Sequence, residues 1–132
     1  MLDTNVLVAA IRSRRGASFA LLEHLGGEAF DVAVSVPLVL EYEDALLRHR
    51  GLLTTSDVGD ILDYICSVAR QQRVFFLWRP LLRDPKDDMV AEVAVAAGAD
   101  AIITHNQRDF SGVERLGPKV WSPQQLLARI ER

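Results

Sequence analysis

Met1-Leu2-Asp3-Thr4-Asn5-Val6-Leu7-Val8-Ala9-Ala10 opens the chain. Met1 and Leu2 read as the end of a buried strand. Asp3-Thr4-Asn5 then starts a helix that continues through Ala10, because side-chain oxygens of this type accept first-turn N–H groups that lack a partner within the helix. An aspartate at the carboxyl end of a leading strand stands where open α/β sheets place their ligands. Only two apolar residues precede it, where such strands usually carry several, so a start further upstream is left open.

The chain beyond alternates between strand and helix patterns. Arg12-Ser13-Arg14-Arg15-Gly16 reads as a basic loop, and Ala17 to Leu25 as a helix stopped by Gly26-Gly27. Asp31 to Ser35 is a short buried strand, with Ser35 also capping a helix over Val36 to Arg50 that has Pro37 in its first turn. Thr55 or Ser56 is expected to cap a helix over Asp57 to Gln72, where Val58, Ile61, Leu62, Ile65, Val68 and Ala69 recur at helical spacing. Val74 to Leu77 reads as a strand, Trp78 to Asp88 as a loop, and Asp88 to Ala97 as a helix ending at Gly98. Ala101 to Thr104 is a strand, and His105 to Gly117 a loop with one helical turn. Val120-Trp121 is a last strand, and Ser122-Pro123-Gln124-Gln125 a capping box opening a helix to Glu131. Short apolar strands without polar alternation, separated by helices, point to a parallel sheet covered on both faces.

Composition sets bounds on this picture. The chain has 132 residues, 49% hydrophobic and 25% charged, which suits one domain spanning 1–132 with a core of its own. The net charge of −3, from 15 basic and 18 acidic residues, argues against a generally basic nucleic-acid coat. It leaves room for an acidic site that takes a phosphodiester once filled by metal. Cys66 is the sole cysteine, so no disulfide or CxxC zinc pattern forms within one chain, and its apolar helical setting reads as a packed thiol. No apolar run approaches the roughly 18 residues of a membrane span. No charged-then-apolar leader opens the chain, and a cytoplasmic protein is the expectation.

Four separated acids stand out by position. Asp3 follows the first strand, Glu41 lies within the helix after the second, Asp88 begins the helix before the fourth, and Asp109 lies in the loop after it. Asp3 and Asp109 are expected to share the carboxyl-end face. Each has a plainer alternative: Glu41 as a solvated helix residue, Asp88 as a first-turn dipole partner competing with Asp84 and Asp87, Asp109 as a turn residue. Clustered carboxylates repel, so convergence would be unfavourable without a cation. Hydrolysis of a phosphodiester needs charge stabilised at the attacking and leaving oxygens, which one or two divalent ions supply.

These segments resemble the PIN domain family, in particular its VapC-like toxin ribonucleases and toxin components of toxin–antitoxin systems. The resemblance is carried by Leu2-Asp3-Thr4-Asn5-Val6-Leu7, Leu40-Glu41-Tyr42, Asp84-Pro85-Lys86-Asp87-Asp88-Met89-Val90, Ala99 through Phe110, and Val120 through Leu127. It implies a three-layer α/β/α fold with a central parallel sheet of about five strands. It also implies Mg²⁺- or Mn²⁺-dependent endoribonuclease activity. Asp3, Asp88 and Asp109 would be the metal ligands, with Glu41 as a further catalytic acid. Asp88 is preferred to Asp87 because Met-Val-Ala-Glu-Val-Ala follows it at the family's spacing. Where many relatives carry aspartate, two residues after Thr104, this chain has Asn106, and either Asn106 or Asp109 fills the fourth position. Thr4, Asn5 and Thr104 would orient carboxylates through hydroxyl and amide groups, or simply cap and hydrogen-bond locally. The implied partners are RNA, an antitoxin protein and a second copy of the chain in a homodimer.

Other residues carry weaker signals. Arg12, Arg14, Arg15 and Arg108 are candidates for RNA phosphates or for a solvated surface. His24, His49 and His105 lack ligand spacing; His105 neighbours the candidate site and is a candidate for a substrate contact, with a lone histidine of no special role as the plainer alternative. Trp78 and Trp121 read as packing residues. The main rival is a catalytically weakened PIN-like module that binds RNA or a protein partner. A receiver- or phosphatase-like domain fits poorly, because no second aspartate adjoins Asp3 and His105, not lysine, follows Thr104.

Overall fold

A computed structural model describes residues 1–73, 82 and 85–131. The expected strand over Val74 to Leu77, and most of the loop after it, lie outside the described residues.

Helix starts follow the local signals closely. Asp3 caps α1 (Thr4–Arg12), and its carboxylate accepts from the Thr4 N–H at 2.8 Å. After the basic loop comes α2 (Ala17–Glu23). Ser35 caps α3 (Val36–Arg48) by accepting from the Leu38 N–H. The cap of α4 (Thr55–Val68) is Thr54, one residue before the expected pair. Thr54 and Asp57 exchange side-chain and backbone hydrogen bonds in a full capping box, so the acid at the third helical position fixes the start. The α5 helix (Pro85–Ala96) begins three residues before Asp88, with Pro85 in the first position that tolerates it. The Ser122–Gln125 box opens α6 (Pro123–Ile130) as expected.

Helix α4 ends at Val68 rather than Gln72. Residues 69–72 contain no helix breaker, but their N–H groups find a better-placed partner. Arg70 and Gln72 donate to the carbonyls of Val32 and Val34, each at 2.7 Å. This pairs β1 (Ala33–Val34) in parallel with β2 (Arg70–Gln71). A second parallel pair joins β3 (Ala101–Ile103) to β4 (Lys119–Trp121), with Ile102 opposite Val120. The leading segment adds to β3 through a parallel bridge between Leu2 and Ile103. Between β3 and β4 the chain makes two 3₁₀ turns, Gln107–Phe110 and Val113–Leu116, where one was expected.

The protein is thus an α/β fold, and among the described residues the strand pairings are parallel. Among the described residues the extended segments form two separate groups, β1 with β2 and Leu2 with β3 and β4, and not one sheet of about five strands. The core forms where the strands meet α1, α3 and α5, with Leu7, Leu38, Leu46, Ile102 and Phe110 essentially inaccessible. Among the described residues, no helix is long and apolar enough to cross a membrane.

Candidate functional site

The site is built where the leading segment and β3 end side by side. Parallel pairing sends both chains out at the same edge: the Asp3 N–H donates to the Ile103 carbonyl at 2.8 Å. Asp3 and Thr104, the residues that follow the paired positions, therefore meet. The Thr104 hydroxyl donates to Asp3 Oδ2 at 2.7 Å, across 101 residues of sequence. Asp3 Oδ1 takes the Thr4 N–H. Thr104 itself is fully buried and Asp3 is 6% exposed.

Thr104 uses its whole hydrogen-bonding capacity. A hydroxyl offers one proton and two acceptor positions. The proton goes to Asp3, while the Asn5 amide donates to Oγ1 at 3.4 Å and the Asn106 backbone N–H at 3.0 Å. Asn5 is held in turn, its Oδ1 accepting from the His105 N–H. Among the residues expected to orient carboxylates, Thr104 and Asn5 join this network through side chains, whereas Thr4 and Asn106 contribute backbone N–H groups. Asn106 precedes the 3₁₀ turn that carries Asp109, with no side-chain cap bond of its own.

Burial pushes the Asp3 carboxyl above its ordinary value of 3.8. The Thr104 and Thr4 hydrogen bonds oppose that shift, the charge of Asp109 adds to it, and His105 acts against it. A carboxylate in this setting is costly to ionise unless a cation is close. The charge of Asp109, an exposed residue, is thus felt at the buried Asp3.

Asp88 and Glu41 occupy neighbouring elements. Asp88 is 3% exposed, and its Oδ1 accepts the Leu82 N–H at 2.8 Å. Asp87 is only half-buried. The helix bearing Asp88 packs against α3 and against the 3₁₀ turn of Asp109. Glu41 lies on α3 with its side chain 13% exposed, at the 4.0 Å limit of an ion pair with Arg48, which sits closer to Asp44 at 3.1 Å. Among the described residues, no three of the His, Cys, Asp and Glu side chains are close enough together to hold a metal ion.

Three features were not drawn from the sequence as parts of the site. Tyr42, next to Glu41, is fully buried and its hydroxyl donates to the Leu2 carbonyl, which ties α3 to the strand end that presents Asp3. Burial, and then the Asp3 charge, push the phenol upward from its usual range, so it stays neutral and remains a donor. Glu92, one turn after Asp88, is 4% exposed. An acid inside the apolar run Met89-Val90-Ala91-Glu92-Val93-Ala94 was the available signal for it. Ser18, in the first turn of α2, has its hydroxyl 2.8 Å from His105 Nε2. No local pattern linked those two residues. Trp121 is a packing residue as expected, its ring covered by the Arg129 guanidinium at 4.2 Å.

A family model described as PIN domain matches residues 1–108. No curated protein and no solved structure matches the chain.

Proposed function

The chain belongs to the PIN domain family, whose members are generally nucleases, and on that premise we propose that it is a metal-dependent endoribonuclease, the toxin of a VapC-like toxin–antitoxin pair. In this reading residues 1–132 form a single three-layer α/β/α domain with a central parallel sheet of about five strands. The protein acts in the cytoplasm, on RNA, as a homodimer held in check by an antitoxin protein.

The observation that carries the reading is the setting of Asp3: a buried carboxylate at a strand end, gripped by Thr104 and exposed to the charge of Asp109. Carboxylate oxygens are the donors that Mg²⁺ and Mn²⁺ favour, although among the described residues no three of these side chains lie close enough together to close such a site. A cation beside Asp3 and Asp109 would remove the repulsion that makes Asp3 hard to ionise. Asp3, Asp88 and Asp109 would hold it, and Glu41 would bind a second ion or orient the attacking water. When bound, such an ion supplies an activated water and neutralises charge on the phosphodiester.

The chain's own residues do the positioning. Thr104 commits its proton to Asp3 Oδ2 while the Thr4 N–H holds Oδ1, so the carboxylate is held from both oxygens. Asn5 and the Asn106 N–H lock Thr104 in turn, and Tyr42 anchors the preceding carbonyl. Pre-set geometry of this kind removes entropy that would otherwise be lost at the reacting step.

Cleavage of a labelled RNA in Mg²⁺ or Mn²⁺ tests the proposal. Asp3→Asn should lower the rate by at least about a hundredfold, since loss even of a residue that only orients a ligand costs 10- to 100-fold. Circular dichroism should show the fold retained. Undiminished cutting by Asp3→Asn would reject the mechanism. A wild-type protein that binds RNA but never cuts it would establish the binding-module alternative.

A further inference from the structure

His105 is the exposed residue of the site that the acids do not require, yet the fold holds it firmly. It follows Thr104 directly. Its backbone N–H is taken by Asn5 Oδ1 at 3.3 Å, and its ring Nε2 lies 2.8 Å from the hydroxyl of Ser18, which is only 2% exposed. A ring fixed in advance loses little further freedom on meeting a ligand, which is how a contact of modest strength becomes useful. Ser18 also ties this corner to the basic loop. Arg12, Arg14 and Arg15 are all exposed, and Arg15 stands three residues before Ser18, within about 10 Å of chain. A polyanion attracted to that loop is brought to the edge where His105 sits.

We infer that His105 is a substrate contact: the Ser18 hydroxyl donates to Nε2, and the Nδ1–H donates to a phosphate oxygen of the RNA backbone beside Asp3. A neutral imidazole carries one ring proton; the Ser18 contact fits either tautomer, and in the one proposed Nε2 accepts and the proton is on Nδ1. Among the described residues Nδ1 makes no hydrogen bond, which leaves it open to a ligand. The inference rests on the nuclease reading and adds to it a residue that binds the scissile strand without holding metal.

Two conservative variants separate contact from mere support. In His105→Asn the amide nitrogen falls near the Nδ1 position and the Ser18 contact is lost. In His105→Gln the amide falls near Nε2, keeping Ser18 and removing the outward donor. The measurement is KM and kcat on a fluorescein-labelled single-stranded RNA of mixed sequence, in Mg²⁺ or Mn²⁺, with thermal melts of each variant. His105→Gln should raise KM about five- to tenfold, the worth of one hydrogen bond, with kcat within about twofold of wild type. His105→Asn should keep KM within about twofold of wild type. The reverse order would show that only the Ser18 contact matters, and overturns the inference. Should His105→Asn fail to fold, an unchanged KM in His105→Gln overturns it alone. A wild-type protein that cuts RNA while His105→Gln matches it removes this inference and leaves the nuclease reading standing. A wild-type protein that neither binds nor cuts RNA removes both.

Discussion

One hydroxyl decides how Asp3 is presented. Thr104 has no hydrogen-bonding capacity left over, so its replacement by valine deprives Asp3 of a donor and leaves the Asn5 amide and the Asn106 N–H without their acceptor. Thr104→Val should cost about 1–3 kcal/mol in urea unfolding at neutral pH, whereas Thr104→Ser, which keeps the hydroxyl, should cost less than about 1 kcal/mol. Asp3 itself makes the metal-free protein pH-dependent in a definite direction. Its carboxyl is raised above 3.8 by burial and by Asp109, so the folded state favours the protonated form. That contribution is complete below the ordinary carboxylate value and is lost as pH rises through the raised one. In EDTA, Asp3→Asn should therefore melt above wild type at neutral pH, with the gap closing towards pH 4 and below; parallel curves would contradict this. The identity of the fourth acid is tested at the same scale. Asp109 acts on Asp3 electrostatically, while the Asn106 contact recorded is a backbone one. Asp109→Asn should slow RNA cleavage more than Asn106→Ala, and the opposite order would assign the position to Asn106.

Helix starts were legible because their signals are local, and a cap speaks to residues two or three positions away. Ser35 and Ser122 did as their sequence context indicated, and the Thr54 error was one residue in a run of Thr-Thr-Ser that offered three similar caps. Helix ends were harder to place. Periodicity carried α4 through Gln72, but the chain from Ala69 onward leaves the helix to pair with β1. The turn that closes α2 is another packing-controlled end. Gly26 has a φ of 81°, and a Cβ there would lie 2.9 Å from the Tyr64 hydroxyl, which donates to the Leu25 carbonyl. Gly26→Ala should destabilise the protein by more than about 1 kcal/mol in chemical unfolding, since both the backbone conformation and the space reject a methyl group. Gly51→Ala is the control, with a positive φ of 58° and open space around the added atom.

At the scale of the molecule, the expected consequence of the site is coupling between cation and fold. Mg²⁺ or Mn²⁺ should raise the melting temperature of wild type, by the equivalent of about 2.7 kcal/mol at a hundred times Kd, and should fail to do so in Asp3→Asn. An identical shift in both proteins would place the cation elsewhere. The sequence by itself determined the order of helices, most of their caps, and the acids and hydroxyls available at the strand ends, because each depends on residues within about one helical turn. Tertiary structure alone decided which of those groups meet. Thr104 reaches Asp3 across 101 residues, His105 reaches Ser18 across 87, and Tyr42 reaches Leu2 across 40. Parallel pairing of strands distant in sequence sets those meetings, and a parallel register is fixed by burial of the strands between helices rather than by any turn the sequence spells out.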